Sequence, residues 1–482
     1  MLLDVFARHV RARGERPFLR HGGRTVSYAE FDRLSNRAAN ALAARGVVKG
    51  DRVTLALGNS VDYVVAAVGV LKSGAILNPV NPGLGASELS YVLGHADPRV
   101  VVTDAASDAK LRGLGRATVL ACALDGPDGR PAARIEPGDH STLLYTSGTT
   151  GKPKGVLFTH SRTGTSGPHF IERLGLTPDD TILAVTPLFH GNAWGAVTTA
   201  LYAGGTAAFA KQFSASEFWP LVHEVGATVV YTLGTVLAML LTRAPSELEK
   251  TNPLRVILGL GAAPIRDRVI ERFGVTAVLE CFGSTDAGVV TIEPLGSRPR
   301  PGSCGPAVPG VDIRVVDDAG NALPPRGVGE ILVRSPAMMA AYYKDPEETA
   351  QALRDGWFHS GDLGFLDEDG WLYFVDRKRD VIRRGGENVS SVLVEKAIRE
   401  HPKVTDVAVV GMPDPVLGQE IKAFVVTSEP VGEDELCTFA AARLAKFQVP
   451  RLWEFRDALP KTPTQRVEKY KLRESSGKPL LG

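Results

Sequence analysis

The apolar residues of this chain fall into two alternating patterns. Short runs rich in Val, Ile and Leu, such as RVTLALG from Arg52 and RVVVTD from Arg99, predict buried strands. They alternate with longer segments in which apolar residues recur at helical spacing. TVSYAEFDRLSNRAANALAARG, from Thr25, predicts a short strand, a turn and an amphipathic helix that stops at Gly46, and residues 1–20 predict an opening helix. This alternation is typical of parallel sheets covered by helices on both faces.

The pattern changes towards the end of the chain. The segment from Ile313 to Ser335 predicts a hairpin, and the residues from Val392 onward predict a helix followed by two strands. We therefore predict an α/β fold, with a large N-terminal body of parallel sheets covered by helices and a small, mobile α+β C-terminal domain. The predicted domains are residues 1–376 and 381–482, joined by a hinge around 376–380.

Composition excludes several classes of protein. The chain has 482 residues, of which 23% are charged, and its formal net charge of +1 implies no nucleic-acid or membrane partner. Its four cysteines are far apart, which argues against a disulfide framework or a zinc site and makes a reducing cytoplasm the expected location. The first residues lack the apolar core of a signal peptide, and no apolar run is long enough for a membrane span.

The segment LLYTSGTTGKPKGVLFTH, from Leu143 to His160, carries the most chemical information. Its glycines let the backbone approach an anion, while hydroxyls and lysines can surround a polyphosphate. The GxxxxGK[ST] spacing of a P-loop ATPase is absent, which excludes that class. The predicted phosphate-binding residues are Thr146, Ser147, Gly148, Thr149, Thr150, Gly151, Lys152 and Lys154.

Ten consecutive residues of this segment, TSGTTGKPKG, resemble the phosphate loop of the adenylate-forming superfamily. That superfamily includes acyl-CoA synthetases, the adenylation domains of peptide synthetases and luciferases. The resemblance covers nearly the whole chain in the family's order, and it favours the acyl-CoA ligase branch. It implies that a carboxylic acid reacts through an acyl-AMP intermediate, with ATP, Mg²⁺ and coenzyme A as the other participants.

Further segments acquire roles from this resemblance. His190, in PLFH, would lie beside the acyl pocket, Thr285 would contact phosphate, and Asp286 would hold magnesium. The strand–loop GLGAAP and the segment FGSTD would line the nucleotide. The residues assigned to the nucleotide in these two segments are Gly261, Ala262, Ala263, Pro264, Phe282, Gly283 and Ser284.

The second half of the chain matches the family in the same way. Asp362, in HSGDLG, resembles the carboxylate that accepts both ribose hydroxyls, and Arg377 resembles a second ribose contact. Arg379 occupies the family's hinge position. Gly385 and Gly386, in RGGEN, resemble the loop that lets the pantetheine arm of coenzyme A pass.

Three positions depart from the family pattern. The family's last catalytic residue is a Lys, but Arg466 stands there, and a planar guanidinium is a poor substitute for a compact ammonium. Lys469 lies close by, and we keep both as candidate catalytic residues. Asp286 is one methylene shorter than the usual Glu, and Phe282 replaces the usual Tyr. All of these changes fall on the adenylation half of the reaction.

Alternatives to a complete acyl-CoA ligase therefore stay open. One is an enzyme that performs thioesterification only, on an acyl-adenylate supplied by a separate adenylating partner. Others are a freestanding enzyme that loads a carrier protein, a luciferase-like oxygenase, and a non-catalytic protein that binds nucleotide or acyl groups.

The identity of the acid is also left open. Small residues in the expected pocket leave room for a bulky acid, but they are common in any tightly packed α/β body. These residues are Gly191, Ala193, Gly195, Gly234 and Gly261.

Overall fold

The computed structural model describes residues 1–146, 153–378, 380–384, 387–414, 416–461 and 467–475. The chain forms two compact units. The first combines Met1–Ile313 with Val333–Phe358, and the second combines Arg314–Leu332 with His359–Gly482. Within the described ranges, no helix is both long enough and apolar enough to cross a bilayer.

Helices occur along the whole chain, as far as the structure describes it. In chain order, the α-helices are α1 Leu2–Arg13, α2 Tyr28–Ala44, α3 Val61–Lys72, α4 Ala86–Ala96, α5 Ala105–Gly113, α6 Gly167–Leu174, α7 Gly191–Ala203, α8 Phe218–Val225, α9 Gly234–Leu241, α10 Glu247–Lys250, α11 Arg266–Phe273, α12 Pro346–Ala352, α13 Ser391–Arg399, α14 Glu433–Ala441 and α15 Lys469–Ser475. Short 3₁₀ turns span Ala121–Ala123, Ala263–Ile265 and Lys446–Gln448.

The strands alternate with these helices. In chain order, they are β1 Pro17–His21, β2 Arg24–Ser27, β3 Arg52–Ala56, β4 Ile76–Pro79, β5 Val100–Thr103, β6 Thr118–Leu120, β7 His140–Thr146, β8 Lys154–Thr159, β9 Thr181–Ala184, β10 Thr206–Phe209, β11 Val229–Leu233, β12 Val256–Leu260, β13 Ala277–Leu279, β14 Cys281–Ser284, β15 Gly288–Ile292, β16 Asp312–Val316, β17 Gly329–Arg334, β18 Ala341–Tyr342, β19 Leu353–Arg354, β20 Trp357–Leu366, β21 Leu372–Arg377, β22 Ile382–Arg384, β23 Glu387–Val389, β24 Val404–Asp414, β25 Gly418–Thr427 and β26 Leu452–Phe455.

Two large sheets organise the first unit. One has the strand order β13-β12-β11-β9-β10-β1-β2 and is parallel from β13 to β1. The other has the order β18-β8-β7-β4-β3-β5-β6, in which the strands from β7 to β6 are parallel and the β7–β8 and β8–β18 pairs are antiparallel. Strands such as β9, β10 and β12 are buried along nearly their whole length because helices cover both faces.

Capping residues mark the ends of several of these helices. The side chain of Ser27 accepts a hydrogen bond from the backbone of Glu30 at the start of α2, and Asp104 does the same for Ser107 at the start of α5. Gly175 ends α6 in the left-handed conformation, which a residue without a Cβ adopts without steric cost. The first sheet therefore receives its strands at regular intervals along the chain.

The second unit is built differently. Its sheet β23-β22-β25-β24, with β26 beside β25, is largely antiparallel, and α13 and α14 pack on one face over a core that includes Val394, Ile398 and Leu436. The other face carries a smaller apolar cluster of Ala408, Phe424 and residues from the end of the chain. The predicted α/β body and small α+β unit are thus confirmed, while the hinge at 376–380 remains a prediction.

One element differs from the sequence-based expectation. The opening helix ends at Arg13, and Pro17–His21 forms a strand instead of continuing the helix to residue 20. Phe18 and Leu19 are completely buried, and Leu19 pairs with Ala207 of β10. Tertiary packing of these two apolar residues therefore decides the structure of the segment.

Candidate active site

One edge of the first sheet collects most of the predicted site segments of the first unit. β9, β11, β12 and β13 are parallel neighbours, so their carboxyl ends point to the same side. The segments that leave these ends contain His190, Gly234, Gly261 and Asp286. In open α/β sheets this edge is where ligands bind.

The predicted adenine-binding loop is held by a buried carboxylate that sequence reasoning did not select. Glu280 accepts hydrogen bonds from the backbone N–H groups of Gly261, at 3.0 Å, and Ala263, at 2.5 Å. Gly261 has a positive φ of 77°, which suits a glycine. A Cβ on Gly234 would lie 2.2 Å from the Gly261 carbonyl oxygen, so this glycine is needed for packing. Of the two explanations left open for this glycine, room for the acid or tight packing, the contact favours packing.

Glu280 belongs to a buried charged group. Arg266 donates two hydrogen bonds to Glu293, at 2.9 and 2.5 Å, and Glu293 in turn accepts one from the backbone N–H of Glu280. Burial raises the pKa of Glu280 to about 7, and its backbone hydrogen bonds and Arg266 oppose that rise. The carboxyl group of Glu280 therefore has a pKa close to neutral pH.

The described ends of the predicted phosphate-binding segment belong to strands β7 and β8. Thr146 ends β7 and pairs in register with Lys154, the first residue of β8. The ammonium of Lys154 forms an ion pair with Glu348 on α12 and lies 5.3 Å from the centroid of the Tyr342 ring. Only 15% of the Lys154 side chain is exposed, so its charge is fixed in place.

The candidate magnesium residue is connected to the same cluster. Asp286 lies in the turn between β14 and β15, directly after the half-buried Thr285, and its Oδ1 accepts a 2.7 Å hydrogen bond from the Tyr342 hydroxyl. Its backbone oxygen accepts another from the N–H of Met339. Tyr342 is 8% exposed, and burial raises the pKa of its phenol, which keeps the hydroxyl protonated as a donor.

A magnesium ion at Asp286 would bind in the manner usual for nucleotide-bound Mg²⁺. Across the described residues, no group of three or more His, Cys, Asp or Glu side chains is arranged to hold a metal. Mg²⁺ is usually held by one or two carboxylates together with phosphate oxygens and water. Asp286, which contacts the same Tyr342 side chain as Lys154, fits that requirement, because the nucleotide would supply the remaining ligands.

His190 is the residue predicted to lie beside the acyl group. It precedes the first residue of α7, and its Nε2 is buried without a hydrogen-bond partner among the residues that the structure describes. Burial lowers the pKa of His190 to about 4, so the imidazole is neutral at pH 7. Asn59, a buried residue that sequence reasoning missed, holds this segment by accepting from the N–H of Leu188 at 2.7 Å and donating to Thr186 at 3.1 Å.

In the second unit, the predicted ribose contacts are neighbours. Asp362 on β20 pairs in register with Arg377 on β21, and the Arg377 Nε lies 3.4 Å from Asp362 Oδ1. Asp362 is 7% exposed and its backbone N–H donates to the Ser360 hydroxyl. The guanidinium thus holds the carboxylate in a defined position.

The residue before Arg377 anchors the next helix. Asp376 Oδ2 accepts hydrogen bonds from the backbone and hydroxyl of Ser391, at 2.6 and 2.9 Å, at the start of α13. The ammonium of Lys469 donates to the same hydroxyl at 2.6 Å and lies 2.7 Å from Glu395. Lys469 is therefore held in a network that joins β21, α13 and α15, and only 14% of its side chain is exposed.

Several predicted residues lie outside the described ranges. They are Ser147, Gly148, Thr149, Thr150, Gly151, Lys152, Arg379, Gly385, Gly386 and Arg466. Of the remainder, Thr146 pairs with Lys154, and Lys154 and Asp286 both contact Tyr342. The strand that leads to Asp286 contains Phe282, Gly283 and Ser284. Ala262, Ala263 and Pro264 follow β12 at the same sheet edge.

Comparison with known proteins identifies the family of the chain. Residues 6–343 match the family of AMP-binding enzymes, and residues 393–466 match the C-terminal domain of AMP-binding enzymes. The chain belongs to the AMP-binding enzyme family. This confirms the predicted acyl-CoA ligase branch of the adenylate-forming superfamily. It also confirms the expectation of an acid–thiol ligase.

Similar proteins cover nearly the whole chain. A crotonobetaine/carnitine–CoA ligase of Salmonella paratyphi A is 34% identical, with 93% of each chain covered. The ATP-bound structure of MatB from Rhodopseudomonas palustris is 29% identical with a TM-score of 0.90, covering 98% of this chain and 99% of that one. The o-succinylbenzoate CoA synthetase MenE of Bacillus subtilis, in complex with its acyl-adenylate, is 28% identical with a TM-score of 0.89, covering 99% and 98%.

Proposed function

We propose that the chain converts a carboxylic acid, through an acyl-AMP, into an acyl-CoA thioester. The observation that carries this proposal is the cluster of Lys154, Tyr342 and Asp286, which places a fixed cation and a held carboxylate together at the phosphate side of the site. A carboxylate that attacks ATP must overcome the repulsion of two anions. A lysine and a magnesium ion supply the charge that this approach needs.

The first half-reaction follows from these positions. A substrate carboxylate oxygen attacks the α-phosphorus of ATP, and the bond to the bridging oxygen of pyrophosphate breaks. Lys154 would stabilise phosphate charge, and Asp286 would hold a magnesium ion, which would supply further positive charge there. Glu280 supports the loop around the adenine, and Asp362 with Arg377 would position the ribose.

The second half-reaction uses the same acyl carbon. The sulfur of coenzyme A attacks the carbonyl of the acyl-AMP, the thiol loses its proton, and AMP leaves with the electrons of the acyl–oxygen bond. We assign Arg379 to the hinge, and Gly385 and Gly386 to the passage of pantetheine, because of their place in the family pattern. Because His190 is neutral, it places no positive charge beside the acyl group that could draw the phosphates away from the attacking carboxylate.

The test compares the two half-reactions on one set of acids. A panel of carboxylic acids is supplied with ATP and Mg²⁺ while pyrophosphate release is followed, and the matching synthetic acyl-AMPs are supplied with coenzyme A while thioester formation is followed. The proposal expects both reactions to run on the same acyl group. Failure of every acid and every acyl-AMP would refute it.

A variant pair makes this test specific to the cluster. Lys154→Met removes the buried ammonium, and pyrophosphate release should fall by about 100-fold because one charged contact to phosphate is lost. Lys250→Met is the matched control, since Lys250 forms an exposed ion pair with Glu247 at 2.7 Å on α10. Equal activity of the two variants would remove Lys154 from the phosphate site.

A specific observation keeps thioesterification alone as a second candidate. The family's catalytic Lys is replaced by Arg466, and the described lysines on either side of it are each paired with a carboxylate. Lys461 lies 2.6 Å from Asp406, and Lys469 lies 2.7 Å from Glu395. A result in which only acyl-AMPs react would support this candidate and imply a separate adenylating partner.

A further inference from the structure

Open space lies beside one face of α7 at the acyl side of the site. An ideal Cβ built on Gly191 or on Gly195 meets no atom within 4 Å, and the same is true of Gly261. Gly191 and Gly195 are four residues apart, so they lie on the same face of the helix, directly after His190. The contrast with Gly234, where a Cβ would meet the Gly261 carbonyl at 2.2 Å, separates glycines that pack from glycines that leave room.

The segments around this space carry no charged side chain. Residues 181–210, 228–242 and 256–265 contain no Asp, Glu, Lys or Arg, although 23% of the whole chain is charged. Buried strands account for part of this absence. The absence of charge is informative in the segments that follow each strand and in the first turns of α7 and α9. Such segments at a ligand-binding edge normally carry polar groups.

The charged groups at the neighbouring positions are already engaged. The carboxyl group of Glu280 accepts from the N–H groups of Gly261 and Ala263, and Asp286 accepts from the Tyr342 hydroxyl. The helix that packs on α7 adds apolar contact, because Phe170 of α6 lies against the Tyr231 ring with centroids 5.3 Å apart. His190 is the ionisable imidazole beside this space, and its burial favours the uncharged form.

We infer that the acid taken by this site carries no charge other than the carboxylate that reacts, an inference that rests on the acyl-CoA ligase function proposed above. A second charge on the acyl body would enter a space to which residues 181–210, 228–242 and 256–265 supply no counter-charge, and burying an unpaired charge is strongly unfavourable. The relatives differ in this respect. Crotonobetaine and carnitine carry a quaternary ammonium, and o-succinylbenzoate carries a second carboxylate.

Two pairs of acids test the inference, of which the first is isosteric and the second removes a charged group altogether. Crotonobetaine is compared with 5,5-dimethylhex-2-enoate, in which carbon replaces the charged nitrogen, and o-succinylbenzoate is compared with 4-oxo-4-phenylbutanoate, which lacks the second carboxylate. Each acid is assayed with ATP, and its synthetic acyl-AMP is assayed with coenzyme A. In both pairs the neutral member should have a kcat/KM for thioester formation that is at least about 100-fold higher.

A variant pair tests whether the open face of α7 meets the acyl group. Gly195→Asp places a carboxylate in the open space, and Gly195→Asn places an uncharged group of the same size there. Relative to Gly195→Asn, Gly195→Asp should shift the ratio of kcat/KM values by about tenfold or more towards crotonobetaine and away from its neutral isostere. Identical ratios in the two variants would show that the acyl group does not reach Gly195, and would overturn the inference.

The outcomes separate this inference from the function on which it rests. Thioester formation with a charged member equal to or better than its neutral partner would overturn the inference and leave the ligase function standing. If no member of either pair reacts, the best substrate of the wider panel tests the inference. A second charge on that acid would contradict it. Absence of thioester from every acid and every acyl-AMP would instead refute the proposed function.

Discussion

Replacing Tyr342 by Phe removes a single oxygen atom from the candidate site. That hydroxyl donates a 2.7 Å hydrogen bond to Asp286, the candidate magnesium residue, and the ring is 8% exposed. The aromatic ring, its contact with Lys154 and the pairing of β18 with β8 are retained. The variant therefore tests one interaction and not the whole cluster.

The magnitude follows from the charge of the acceptor. A hydrogen bond to a charged group contributes about 1.5–3 kcal/mol. Because about 1.4 kcal/mol corresponds to a factor of ten, loss of the orientation that Tyr342 gives to Asp286 should raise the Mg²⁺ concentration needed for half-maximal ATP binding by roughly 10–100-fold. The free energy of unfolding should fall by only about 1 kcal/mol, since the half-buried carboxylate of Asp286 can take water in place of the phenol.

The assay is calorimetric binding of ATP at a series of Mg²⁺ concentrations, which requires no turnover. Tyr28→Phe is the control. It removes a buried hydroxyl that donates to the Gly205 carbonyl at 2.8 Å, so it should reduce stability without changing the Mg²⁺ dependence. If Tyr342→Phe and Tyr28→Phe bind ATP with the same Mg²⁺ dependence, Asp286 is not the magnesium residue and the reasoning fails.

Three further predictions concern neighbouring parts of the site. The pKa of Glu280 is raised from 4.5 to about 7 by burial, which corresponds to roughly 3 kcal/mol. The native protein should lose that stability as pH rises from about 4.5 through 7 and beyond, whereas Glu280→Gln should show a flatter dependence in urea unfolding; parallel curves would contradict this. Asn59→Ala removes three buried hydrogen bonds, one of them from Leu188, and should lower the unfolding free energy by about 2–4 kcal/mol, with a raised KM for the acid; an unchanged KM would separate Asn59 from the acyl side. Asp362→Asn keeps the size of the side chain but turns one acceptor oxygen into a donor, so the Kd for ATP should rise by about 10–100-fold in the same calorimetric assay, and an unchanged Kd would exclude Asp362 from the ribose site.

Much of the fold could be predicted from the sequence because its elements depend on local patterns. The alternation of short apolar runs with amphipathic segments is a property of neighbouring residues, and Ser27 and Asp104 cap helices three residues away from the groups they bind. The opening segment shows the limit of that reasoning. The strand Pro17–His21 forms a local hairpin with β2 across Gly22 and Gly23, a turn signal that the helical prediction passed over. Its other neighbour, β10, lies almost two hundred residues later, and no local pattern contains that contact.

The candidate site divides in the same way. Lys154 and Asp286 could be predicted because they lie within recognisable motifs. Tyr342 and Asn59 could not, since each acts on a partner that is distant in sequence, and the only signal for them was a polar group in an otherwise apolar setting. Glu280 stood one residue before a strand and could equally have been an exposed end of that strand. Its role follows from the two hydrogen bonds that its carboxyl group accepts from backbone N–H groups.

The central claim, that the acid is activated as an acyl-AMP, is tested most directly by following oxygen. The best acid of the panel is prepared with both carboxylate oxygens as ¹⁸O and incubated with the protein, ATP, Mg²⁺ and coenzyme A, and the nucleotide products are analysed by mass spectrometry. Attack on the α-phosphorus followed by thiolysis predicts one ¹⁸O in AMP for each acyl-CoA formed. Unlabelled AMP, or ADP together with labelled orthophosphate, would contradict the account.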